Sequence, residues 1–142
     1  MPDIVVPDEG EIYLLDVLLR EPTPDPFVLR LFCNDYHPHR ESILADFTQA
    51  SYSGYSPVGL SRGTWTAAVT SGGYAISTYG TAFLQFLPAS GGETVYGYYV
   101  TDADETVCLW AQRLDASVEI TPTTPLLLLP LLRLRSEVQP AP

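Results

Sequence analysis

The chain contains no lysine: its seven basic residues are all arginines, set against seventeen acidic residues for a net charge of −10. A surface of that sign repels phosphate backbones and anionic headgroups, so neither nucleic acid nor a membrane is expected as a partner. The same absence removes the side chain that most often guards exposed strand edges in β proteins. The edges must be covered otherwise, by the chain's own terminal segments or by neighbouring subunits.

Histidine and cysteine are also scarce, two of each. Cys33 and Cys108 lie far apart and pair only if the fold brings their strands together. Two buried, reduced thiols are the favoured expectation, because free cysteine is among the most buried residue types. No Gly-x-Ser-x-Gly elbow is present, and both histidines fall in one turn. Cys33 with His37 is a Cys–His pair in name, yet Cys33 sits on the apolar face of a predicted strand. Gly72-Gly73 and Gly91-Gly92 lack the following lysine or helix that phosphate binding needs. No catalytic residue, cofactor or enzymatic activity is therefore expected. The longest apolar run, residues 126–132, is interrupted by Pro130 and falls far short of a membrane span. Residues 1–10 are acidic and contain proline, unlike a signal peptide.

What the chain does have is apolar material: 46% of its 142 residues are hydrophobic, including nine Tyr, five Phe and two Trp. One domain with its own core is expected, without help from metals or disulfides. Ile12, Leu15, Leu18 and Leu19 recur at helical spacing behind acidic residues, which predicts a helix over 11–20, although Ile12 and Leu14 also alternate as in a strand. Pro22, Pro24 and Pro26 stop it. Phe27, Leu29, Leu31 and Cys33 then share one face of a strand, with Val28, Arg30 and Phe32 on the other. Residues 34–41 read as a polar turn, 43–47 as one helical turn and 51–62 as a long loop.

Further strands are predicted over 64–70 (Trp65 on one face), 74–79, 82–87, 94–101, 106–113 and 126–135. Turns fall at Gly72-Gly73, at Ser90-Gly91-Gly92 as a hairpin, and at the acidic stretch 102–105. Turn signals every eight to twelve residues or so predict a mainly β fold, an antiparallel β-sandwich or jelly-roll with a short N-terminal helix and extended terminal arms. Arm and helix take 1–26, the sandwich 27–135 and a flexible tail 136–142.

Two polar clusters and two apolar ones are candidates for function. Asp35, His37 and His39 alternate, so an extended backbone aims all three to one side, as metal ligands require. Pro38 interrupts them, a fourth ligand is missing, and a polar turn is the expectation. Asp102, Asp104 and Glu105 lack the glycine and distal glutamate of a calcium loop and read as a solvated turn. Tyr52, Tyr55, Tyr74, Tyr79, Tyr96, Tyr98 and Tyr99 offer rigid faces for a glycan or a protein, with Tyr52 and Tyr55 the loop candidates. Leu126, Leu127, Leu128 and Leu129 are apolar on both strand faces and must be covered twice, in a sandwich interior or at a subunit contact. With lysine-free edges, this favours a homo-oligomer.

Residues 44–50 (Leu-Ala-Asp-Phe-Thr-Gln-Ala) with Gly54-Tyr55, and residues 97–102 (Gly-Tyr-Tyr-Val-Thr-Asp) leading to Leu109-Trp110-Ala111, resemble small structural proteins of tailed bacteriophages. The resemblance loosely covers 27–135 and rests on pattern, not on a catalytic motif. It implies a virion component made in the bacterial host cytoplasm. The favoured form is a cement (decoration) protein on the capsid exterior, a homotrimer that stabilises the shell by binding across major capsid protein subunits. The alternative is a tail- or fibre-associated module that binds a host-surface glycan.

Overall fold

A computed structural model describes residues 4–20, 26–72 and 74–134. Its elements are β1 (Ile4–Val5), α1 (Asp8–Arg20), β2 (Phe27–Phe32), β3 (Val58–Leu60), β4 (Val69–Ser71), β5 (Tyr74–Thr78), β6 (Leu84–Phe86), β7 (Glu93–Thr101), β8 (Cys108–Ile120), β9 (Leu126–Leu128) and β10 (Leu131–Leu134). The fold is mainly β and sandwich-like, with one short helix. Its strands form antiparallel sheets in the orders β1-β8-β7-β2-β3, β10-β5-β4 and β6-β9.

The period-two pattern of β2 divides the large sheet into two faces. Leu29 and Leu31 enter the main core with Val95, Tyr98 and Val100 of β7 and Trp110 of β8, and Phe27 packs against it. This face is covered by the two smaller sheets, through residues such as Phe86, Leu126 and Leu128. Phe32 points the other way and joins Phe47, Tyr99, Cys108 and Ala111 in a second cluster. Val100 pairs with Trp110 and Thr101 with Cys108, so Leu109 is a bulged extra residue. The bulge lets Leu109 and Trp110, though adjacent, both reach the main core.

The N-terminal segment is extended but docked. Ile4–Val5 adds to the edge of β8, and the helix starts at Asp8, three residues earlier than its apolar spacing suggests. The Pro7 carbonyl accepts the Glu11 N–H at 2.9 Å, and the Glu9 carboxylate accepts the Cys108 N–H at 2.8 Å. A Cβ at Gly10 would lie 2.3 Å from the Leu109 carbonyl oxygen, so only glycine lets the helix sit this close to β8. Ile12, expected on the buried stripe, is 66% exposed, while Tyr13 packs on the core.

Other expectations shift. The loop over 51–62 contains β3, and the strand expected over 64–70 shrinks to β4, with Trp65 held by an isolated bridge to Tyr79. Gly91-Gly92 does not make a β6–β7 hairpin: β6 pairs with β9, and β7 with β8 and β2. Gly91 has φ 69°, and a Cβ at Gly92 would meet the Ile120 carbonyl at 2.8 Å; these glycines bring the chain in beside β8. The single final strand is split because Pro130 has no N–H to continue a ladder. β9 bonds to β6 and β10 to β5, so one leucine run serves two sheets. The tail over 136–142 lies outside the described residues.

Candidate functional site

The β6–β9 pair is registered Leu84 to Leu128, Gln85 to Leu127 and Phe86 to Leu126. Strand alternation sends Phe86, Leu126 and Leu128 into the core, 4%, 7% and 8% exposed. The opposite face carries Leu127 at 55% exposed, with Phe83 at 63% and Leu87 at 43%, two residues to either side of Gln85. Leu129 is half-buried. Among the described residues, the leucine run is thus covered on one face and not on both. The outer face is also without charge: every acidic and basic residue of the chain lies outside 81–92 and 121–132. An apolar, charge-free ribbon on a molecule of net charge −10 is where a protein partner meets least electrostatic opposition.

The leucines were legible in the sequence, but Phe83 and Leu87 were not. The available signal was that 81–92 is as free of charge as 121–132, which marks two segments able to share one uncharged surface.

The tyrosines do not gather into one platform. Tyr98 and Tyr99 are buried in opposite clusters, and the Tyr79 hydroxyl accepts the Ser61 N–H at 2.9 Å. Tyr74 lies under Arg133 and Tyr96 under Arg113. Tyr52 and Tyr55 meet edge to face at 5.2 Å, both half-buried. The Tyr55 hydroxyl accepts the Leu31 N–H at 3.2 Å and a Gln49 amide N–H at 3.0 Å. β3 pairs with β2 only from Phe27 to Leu29, so Tyr55 supplies the acceptor that β3 does not reach to give Leu31. Burial raises the Tyr55 pKa, and those two hydrogen bonds offset part of the rise.

Asp35, His37 and His39 do not converge. The Asp35 carboxylate binds Arg113 at 2.7 Å and has His37 at 3.8 Å. His39 Nδ1 accepts the Glu41 N–H at 3.2 Å, which places the ring proton on Nε2, 3.2 Å from the Tyr36 hydroxyl. Among the described residues no group of three or more His, Cys, Asp and Glu is placed to hold a metal. Asp102 closes the β7–β8 turn: its carboxylate accepts the backbone N–H of Thr106 at 2.7 Å and of Val107 at 3.0 Å, and the Thr106 hydroxyl. Beside it Arg30, nearly buried, bonds Thr101 and Gln49 and lies 3.6 Å from Glu105.

Both cysteines are free, Cys108 buried and Cys33 half-buried. Burial pushes the Cys33 thiol up to about 11, with Glu93 adding to the rise, and pushes Cys108 up to about 12. Burial thus favours the neutral thiol over the nucleophilic thiolate at both positions. No helix among the described residues is long and apolar enough to cross a membrane. No protein-family model and no curated protein matches the chain.

Proposed function

We propose that this protein is a structural subunit of a larger assembly, and specifically a capsid cement protein that joins neighbouring major capsid protein subunits of a tailed phage as a homo-oligomer. The observation that supports the assembly role is the exposed, charge-free ribbon of Phe83, Leu87 and Leu127. The phage setting follows from the sequence resemblance. Fully burying such a side chain is worth about 1.5–3 kcal/mol, and each is already about half covered, so the ribbon contributes roughly 1 kcal/mol per residue at an interface. Association costs about 4–15 kcal/mol in lost freedom, so the ribbon is the centre of a wider contact and not the whole of it. Binding of this kind stabilises a shell by mass action and needs no chemistry.

The test is co-sedimentation with shells assembled from the major capsid protein of the same phage, together with the solution mass of the free protein. Wild type should be oligomeric and should pellet with shells, and Leu127→Glu should lose shell binding while keeping its melting temperature. A monomer that ignores shells would end this reading. The glycan alternative rests on Tyr52 and Tyr55, and the inward commitment of the Tyr55 hydroxyl weighs against it.

A further inference from the structure

A cavity of about 300 Å3 opens between the five-stranded and three-stranded sheets. Phe27, Leu60 and Trp110 form one wall and Leu132 the other, with Trp65 between them. The rings are fixed edge to face: Phe27 with Trp110 at 5.9 Å, Trp65 with Trp110 at 6.0 Å, and Trp65 with Tyr79 at 5.2 Å. A mostly apolar hollow with a few placed polar groups is the common form of a small-molecule site, and this volume is near the lower end of the usual range of about 300–1,000 Å3.

The polar groups around it decide the ligand class. Arg62 lines the cavity and is exposed. Arg30, Arg40 and Arg113 each hold a carboxylate, and Arg133 lies over Tyr74. Among the arginines whose side chains are described, Arg62 alone has no such partner, in a chain with seventeen acidic residues. Ser77 spends its hydroxyl proton on the Thr66 carbonyl at 2.7 Å. The buried Trp110 N–H sits beside the Tyr98 hydroxyl without a well-formed hydrogen bond. The free cation at an aromatic-walled hollow therefore calls for an anion attached to an apolar body.

We propose that this cavity binds a small one-ring aromatic carboxylate, with the ring among Phe27, Trp65, Trp110 and Leu132 and the carboxylate on the Arg62 guanidinium. The planar fork of arginine suits a carboxylate held through two parallel hydrogen bonds. This site is separate from the β6–β9 ribbon and does not depend on the assembly role.

Both tryptophans of the chain line the cavity, so intrinsic fluorescence reports on it directly. The full chain is titrated with phenylacetate and, in parallel, with uncharged phenylacetamide. A saturable change is expected for the acid, weakened about tenfold or more for the amide and for Arg62→Gln, as befits a charge-assisted bond. Leu132→Phe, which fills the hollow and leaves Arg62 in place, should abolish binding. Melting curves confirm that each variant is folded; Arg62 is exposed, so its loss should leave the melting temperature unchanged. No saturable change up to about 10 mM phenylacetate would overturn the proposal, since weaker binding does not define a site. Equal binding of acid and amide, undiminished binding to Arg62→Gln, or undiminished binding to a folded Leu132→Phe would overturn it too.

Discussion

Gly97 lies on β7 opposite Phe32, and its lack of a side chain is what the aromatic ring occupies. A Cβ there would stand 2.6 Å from the Phe32 ring and 2.4 Å from the Gln112 carbonyl oxygen. Phe32 cannot retreat, because it is pinned edge to face on Phe47 at 5.2 Å, and Phe47 stacks on Tyr99 at 4.7 Å. Gly97→Ala should therefore destabilise the fold by about 1–3 kcal/mol, the usual size of an overpacking penalty. Urea unfolding measures it, with Gly59→Ala as the control: a Cβ at Gly59 meets nothing within 4 Å. A Gly97→Ala midpoint equal to that of wild type would show that the Phe32 ring and the Gln112 carbonyl both give way without cost, and would overturn this account. The sequence carries no trace of this constraint. Gly97 reads as a weak spot between Tyr96 and Tyr98, and the ring that needs it comes from a strand 65 residues earlier. Tyr55 is the same lesson reversed. Its Ser- and Gly-rich surroundings correctly mark a loop, but they say nothing of the Leu31 N–H that its hydroxyl reaches across to meet.

At the scale of elements, local chemistry was readable and partner choice was not. The strand character of 27–32, the acidic turn between β7 and β8 and the two-residue connection that pairs Ser71 with Tyr74 all follow from side-chain type and spacing. That β6 joins β9 across the intervening β7 and β8 does not, because the pairing depends on where Pro130 breaks the leucine run and hands it to a second sheet. The β7–β8 turn makes a prediction of its own. Burial opposes ionisation of Asp102, yet the hydrogen bonds from Thr106 and Val107 outweigh it and hold the carboxyl below its ordinary 3.8. A folded-state value below the unfolded one means that the stability Asp102 adds is complete above the ordinary value and is lost as pH falls through the folded one. From about pH 5 to about pH 2.5 the urea midpoint of wild type should fall more steeply than that of Asp102→Asn, which keeps the shape of the side chain but cannot ionise. Parallel slopes would show that the turn's carboxylate carries none of the acid sensitivity.

For the molecule as a whole, the same linkage runs in the opposite direction at high pH. Both faces of the large sheet bury phenols and a thiol. Burial pushes Tyr98 up to about 12 and Cys108 up to about 12, and it raises Tyr99 further. Groups whose folded values lie above their unfolded ones keep their full contribution below the unfolded value, 10.0 for tyrosine, and lose it as pH climbs through the folded value. Keeping the Tyr98 phenol neutral to about 12 corresponds to on the order of 3 kcal/mol against a folded, ionised state. That is a large part of the marginal stability of a domain this size. Ionisation also adds negative charge to a molecule already at −10, so self-repulsion acts in the same direction. Tyr79 departs from this pattern. Burial opposes its ionisation, but hydrogen bonds from Ser61 and Thr64 prevail and lower its pKa. Phenolate absorbance should therefore rise in two stages. Tyr79 titrates while the β signal in circular dichroism is intact, and the buried phenols appear only as that signal collapses, between about pH 10 and about pH 12. If all nine tyrosines titrated smoothly while the sheets stayed folded, the two cores would have to be open to hydroxide. A thiol reagent gives the parallel readout: Cys108 should stay unlabelled until the same pH at which the buried phenols emerge, because one cooperative opening exposes both.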